Sequence, residues 1–226
     1  MSERGTSERR TARSGAARRG RPARLSRERI VETALEIVAR EGDRALTMRR
    51  VADALGAAPM SLYRHVGSKD ELLILLLDRV VGELPRPALP DDPRERLVVL
   101  LTWQHDQLAA RPWIVDVLAR GDLMAPSVVW LLEAIYDAWR ASGLTLDQAA
   151  TANRIVWGFT LGALRQRAVP AHPSGREPYQ VSVPAGVDPV DHPTLAALRG
   201  YWTAPDRRDR FAEDLALLVH ALTGAA

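Results

Sequence analysis

The chain has 226 residues, 46% of them apolar, no cysteine and a formal charge of +3. That length allows one large or two small domains with a real core, and the lack of cysteine excludes disulfides, thiolate metal sites and cysteine nucleophiles. No apolar run reaches the roughly 18 residues that a membrane span needs, and the arginine-rich start lacks the apolar segment of a secretory signal.

Residues 1–24 carry eight arginines against Glu3 and Glu8, a net +6, so the remainder of the chain is close to −3. This stretch is rich in Gly, Ser, Ala and Thr and has little to bury, so it reads as a disordered basic arm. It is either a plain solvated tail or an arm that adds phosphate or minor-groove contacts to a DNA-binding unit.

A first helix is predicted from about Ser26 to Glu41, with Ile30, Ala34, Leu35, Ile37 and Val38 as its buried stripe. Gly42 ends it. A second helix starts at Thr47, whose hydroxyl can cap free N–H groups, and places Val51, Ala52 and Leu55 at helical spacing. Gly56 supplies the turn, and a third helix is predicted from about Ala58 to His65, with Pro59 tolerated at its start. Leu62 and Val66 would face inward. Two short helices across a glycine turn fit the unit whose second helix enters a DNA major groove, although pattern alone allows a plain helical hairpin. Ser68-Lys69-Asp70-Glu71 is a capping box that opens a fourth helix reaching about Glu83, with a wide apolar face.

Residues 84–90, LPRPALP, form a proline-rich break, which sets the domain boundaries at 1–24, 25–83 and 84–226. Beyond it the chain reads as helices and turns. Helix five runs from Pro93 to about Ala110, and a short helix follows Arg111-Pro112-Trp113. Helix seven starts at a Ser127 cap, and helix eight runs from about Thr145 to Arg167. Residues 168–204, interrupted by six prolines, read as a long irregular connection with a turn or two of helix around Thr194 to Arg199. A final helix spans about Asp206 to Leu222. The fold class is therefore all-α: a three-helix helix-turn-helix domain plus a helical domain for ligand binding and dimerisation. Gly158 and Gly162 lie four apart on helix eight, where another backbone can approach closely, within one subunit or between two.

Leu62-Tyr63-Arg64-His65-Val66, then Lys69 and Glu71-Leu72-Leu73, together with Leu46-Thr47-Met48-Arg49, Ala52 and Leu55-Gly56 upstream, resemble the DNA-binding domain of the tetracycline-repressor (TetR) family. The resemblance is tight over residues 25–83. A looser one, in Ser142-Gly143-Leu144-Thr145-Leu146-Asp147-Gln148-Ala149 and in Gly158-Phe159-Thr160-Leu161-Gly162, is to the dimer helix of the tetracycline-repressor core domain. It implies that helices eight and the last form a four-helix interface in a homodimer, the arrangement that two half-sites one DNA turn apart require.

The family pattern assigns Tyr63, His65 and Lys69 to phosphate contacts, which suits a phenol, an imidazole and an ammonium. Thr47 and Arg49 can reach phosphate or a groove edge. Pro59, Met60, Ser61 and Arg64 are the candidates for reading bases: Arg64 either reads guanine bidentately or holds phosphate, and Met60 either touches a thymine methyl or packs.

Six tryptophans against two phenylalanines suit both a core and a ligand site. Trp103 and Asn153 align with pocket positions of the tetracycline-binding members, and Trp157, Ile135 and Val99 are added as weaker ligand-binding candidates. Trp113 is expected to be structural, and His105 to be a surface residue beside Asp106. No two histidines have metal-ligand spacing on one helix, so neither a metal nor a cofactor is expected. No nucleophile–base pair or carboxylate pair stands out, so no enzyme is expected. The expectation is a cytoplasmic, nucleoid-associated bacterial regulator, most simply a repressor. It would bind a palindromic double-stranded DNA operator as a dimer and be released by an unknown small-molecule effector, with no membrane partner. The alternative is an effector-independent architectural DNA-binding protein.

Overall fold

The computed structural model describes residues 25–167, 179–203 and 210–224. Among the described residues every regular element is helical, and none of the helices is long and apolar enough to cross a membrane. The basic arm lies outside the described residues.

The local signals of the N-terminal half act as their chemistry requires. Helix α1 spans Arg27–Glu41, and the Ser26 hydroxyl accepts the Arg29 N–H at 3.3 Å. It stops at Gly42, whose φ of 79° is a conformation that side-chain-bearing residues avoid. A single 3-10 turn, Asp43–Ala45, leads to α2, Met48–Leu55. Thr47 Oγ1 caps α2 by accepting the Arg50 N–H at 3.0 Å. Gly56 is left-handed at φ 62° and turns the chain into α3, Pro59–Leu62. This helix is shorter than the predicted 58–65. The Leu62 carbonyl accepts from both His65 N–H (2.8 Å) and Val66 N–H (2.9 Å), so Tyr63, Arg64 and His65 form a tight turn. Leu62 and Val66 stay fully buried, so the recognition segment remains pinned to the core without further helical turns.

Helix α4, Lys69–Gly82, opens on the predicted capping box. Ser68 Oγ accepts the Glu71 N–H at 3.0 Å, while Glu71 reaches back to the Gly67 N–H at 2.7 Å and also pairs with Arg27. The second domain follows as α5 (Pro93–Ala109), α6 (Pro112–Leu118), α7 (Val129–Ala141), α8 (Leu146–Arg167), α9 (Tyr179–Ala185), α10 (Pro193–Ala197), α11 (Arg199–Thr203) and α12 (Phe211–Gly224). The 168–204 stretch thus holds more helix than expected. Pro193 sits in the first turn of α10, where proline is tolerated, while Pro184 lies inside α9 one residue before its end. The predicted start of the last helix, at Asp206, lies outside the described residues.

Ser127 does not cap α7, which begins from a 3-10 turn, Pro126–Val128, with no side-chain cap. Instead Ser127 ties α7 to α4: its N–H donates to Asp78 Oδ1 at 2.8 Å and its hydroxyl to the Asp78 carbonyl at 3.1 Å. His105 is also not at the surface. It is 4% exposed, its Nδ1 lies 3.0 Å from Asp106 Oδ1, and its ring stacks on Phe211 of α12 at 3.8 Å. Residues 97, 101, 105 and 108 form one helical stripe of α5, and that stripe is core.

The apolar interior has two centres. One joins α1–α4 to Trp113, Ile114, Val115 and Val117 of α6, and the other is built by α5, α7, α8 and α12 around the fully buried Trp139. Trp113 is buried in the first, in the structural role expected of it. Helix α6 therefore belongs to the second domain by sequence and to the interior of the first by packing.

Candidate nucleic-acid interface and ligand cavity

The DNA-binding candidates occupy three consecutive pieces. Thr47 and Arg49 sit at the start of α2. Pro59, Met60 and Ser61 lie on α3, Tyr63, Arg64 and His65 in the turn after it, and Lys69 is the first residue of α4. Met60 is 75% exposed and Tyr63 is 45% exposed, so both are accessible to a partner. Arg64 is exposed, and among the described residues its contact is a 3.5 Å one to Ser61 Oγ, so its guanidinium is available. Arg49 faces Asp53 at 4.0 Å across solvent, a pair that costs little to break. Glu41, by contrast, takes hydrogen bonds from Arg40 and Arg50. These hold its carboxyl below the usual range and engage the Arg50 guanidinium within the protein.

Lys69 is the exception among these residues. It is half-buried, and its Nζ donates to the Asp43 carbonyl at 3.2 Å. The Asp43 carboxylate is 3% exposed and pairs with Arg120, which follows α6. This Lys69–Asp43–Arg120 chain joins the reading head to the second domain. Residues so far apart in sequence offered no local signal for it.

A cavity of about 320 Å³ lies between the domains, in the size range of small-molecule sites. Four of the five ligand candidates line it: Trp103 of α5, Ile135 of α7, and Asn153 and Trp157 of α8. Val99 does not. It lines a separate open groove beneath the proline-rich linker, where this turn of α5 meets Ala216 and Val219 of α12. Asn153 has the partner that a half-buried amide needs, donating from Nδ2 to the Tyr136 hydroxyl at 3.4 Å. Trp103 meets Trp130 edge-on at 5.5 Å, and the Arg86 guanidinium covers Trp130 at 4.6 Å, so the linker rests on the back of the cavity wall.

Sequence reasoning missed Gln104, Gln107, Arg111 and Tyr136, which also line the cavity, along with Leu77, Val80 and Val81 of α4. A signal was present for three of them. Trp103, Gln107 and Arg111 fall four apart with Gln104 beside them, a polar stripe running from α5 to the break before α6.

With this geometry in hand, comparison with known proteins gives a consistent picture. Residues 30–76 match the model for bacterial regulatory proteins of the tetR family, and residues 86–224 match that for the tetracyclin repressor-like C-terminal domain. The HTH-type transcriptional repressor DrrR1 of Streptomyces coeruleorubidus is 36% identical over 152 residues, which cover 66% of this chain and 56% of that protein, so the chain spans little more than half of this curated relative. Apo ActR from Streptomyces coelicolor superimposes with a TM-score of 0.74 at 27% identity, over 88% of this chain and 95% of that one. ActR in complex with actinorhodin gives 0.74 at 27%, over 90% and 98%. The family models alone cover most of the described structure, and the chain belongs to the tetR family of bacterial regulatory proteins.

Proposed function

We propose that this protein is a transcriptional repressor that binds a palindromic operator as a two-fold dimer and releases it when a small molecule enters the interdomain cavity. The observation that carries this reading is the shared wall. Leu77, Val80 and Val81 of α4 line the cavity together with Trp103, Asn153 and Trp157, and the same helix begins at Lys69 beside the recognition turn. A ligand that favours one position of α4 biases the spacing of the two reading heads. Operator affinity then falls by the coupling free energy, typically about 1–3 kcal/mol. The complex of the similar ActR with actinorhodin supports a small-molecule effector. An architectural protein without an effector has no use for a tryptophan-walled cavity against the helix that follows its recognition turn.

Exposed apolar side chains support the dimer. Leu217 of α12 is 72% exposed and Ile155 of α8 is 40% exposed, while a Cβ placed on Gly158 or Gly162 meets nothing within 4 Å. Large apolar residues and bare backbone on α8 and α12 suit a second copy packed against them.

Footprinting on the DNA upstream of the gene, at two salt concentrations, tests the reading. A protected inverted repeat that survives moderate salt is the expected result. Diffuse protection lost as salt rises would instead favour the architectural alternative. On the same DNA, Lys69→Met is expected to weaken binding to all sequences alike and reduce the salt slope by about 1, whereas Arg64→Ala is expected to cost about 1–3 kcal/mol and relax specificity at one base pair. Equal losses on specific and random DNA for Arg64→Ala would place that residue on phosphate.

A further inference from the structure

We infer that the interdomain cavity selects aromatic anions, with Arg111 as the residue that reads the charge. This rests on the cavity being the effector site and adds the chemical class of the effector.

The charge inventory of the lining is one-sided. Among the described residues Arg111 is the one charged side chain of the lining, and no aspartate or glutamate is part of it. The remaining polar lining groups are the amides of Gln104, Gln107 and Asn153, the Tyr136 hydroxyl and the indoles of Trp103 and Trp157. Arg111 is part-buried, and its contacts are neutral: Nη1 donates to the Gln107 carbonyl at 3.0 Å and to Gln107 Oε1 at 3.1 Å. No carboxylate pairs with it among the described residues. A guanidinium has five donors, so these bonds leave others for a ligand. The arrangement also turns Gln107 into a donor, because its oxygen is engaged by Arg111 and its amide N–H groups are left over.

The corner between α5 and α6 is therefore donor-rich and positive, with no internal anion to balance it. In an apolar surround that imbalance favours an anionic oxygen and penalises a cation. The Asn153–Tyr136 pair differs in kind. Asn153 donates to Tyr136, which leaves the Asn153 oxygen as an acceptor and the Tyr136 hydroxyl as a donor, a pair suited to a neutral hydroxyl or carbonyl. Trp103 and Trp157 add indole surface to the same lining, which suits a ring system. A ligand that carries a carboxylate or phenolate, fused rings and a neutral oxygen satisfies all three groups.

The test is calorimetric titration of the full chain with three probes on one scaffold: anthraquinone-2-carboxylate, its neutral carboxamide and the cationic 2-(aminomethyl)anthraquinone. The expected order is carboxylate tightest by about tenfold or more, then carboxamide, then the cation, since tenfold corresponds to one charge-assisted bond of modest strength. Arg111→Met is expected to abolish the preference of carboxylate over carboxamide, and Arg111→Lys to keep part of it. Circular dichroism and thermal unfolding of each variant check that it is folded. Equal affinity for the three probes, or a preference that survives Arg111→Met, overturns the charge reading while leaving the cavity as effector site. Failure of all three probes to bind at about 1 mM, an affinity too weak for a built site, overturns both.

Discussion

Arg120→Ala is expected to destabilise the protein by about 2–4 kcal/mol, more than a half-exposed arginine usually contributes, because the damage falls on its partner. The Asp43 side chain is 3% exposed while that of Arg120 is 43% exposed. Truncating the arginine leaves a carboxylate in the interior with its counter-ion gone, and that uncompensated charge carries the cost. In a chain of this size the thermal midpoint should drop by about 5–15 °C. Asp43→Asn combined with Arg120→Ala removes the charge as well as the partner, so the double variant is expected to regain part of the loss. Thermal unfolding of the two single variants and the double measures the coupling. A loss below about 0.5 kcal/mol for Arg120→Ala would show that water solvates Asp43 as well as Arg120 does. The consequence extends to DNA reading, since the backbone carbonyl of the same Asp43 holds Lys69.

The second large effect is expected at a position that contributes little to the isolated subunit. Leu217→Glu and Ile155→Glu place charges on the exposed apolar surfaces of α12 and α8. The isolated fold should tolerate both, because neither side chain belongs to the buried core. If these surfaces meet a second copy, each buried carboxylate opposes assembly. The variants should sediment as monomers and bind the operator about 100- to 10,000-fold more weakly, the range that joining two reading heads provides. A dimer that persists in both variants would place the interface elsewhere, the groove containing Val99 being the next apolar surface to test.

What the sequence made legible follows a physical divide. Caps and glycine turns are local, and they can be read without knowing the rest of the chain: Ser26, Thr47, Gly56 and Ser68 all stand where the helices begin or end. Trp103 and Asn153 were found through resemblance, and the tertiary structure brings them to one cavity. Val99 shares a helical face with Trp103, yet helices α5 and α12 meet at its turn, and no periodicity within α5 contains that fact. His105 was misread for the opposite reason: its position in the stripe of Leu97, Leu101 and Leu108 was a signal, and its polarity was given more weight than its spacing. Ser127 looked like a cap because it follows a loop, while its partner Asp78 lies on a different helix. Contacts between residues far apart in sequence, Asp43 with Arg120 and Arg27 with Glu71, had no local signature.

The position of α4 also constrains the traffic in the other direction. Its inner side is a wall of the cavity and its first residue stands beside the recognition turn. Free energy around a closed cycle must sum to zero, so any factor by which a ligand loosens DNA is the factor by which DNA loosens the ligand. Protein seated on its operator would then bind effector more weakly than free protein and need more of it to fill. The ligand concentration needed to switch the gene would rise with the number and strength of the sites occupied, making the promoter itself one of the determinants of the sensor's threshold.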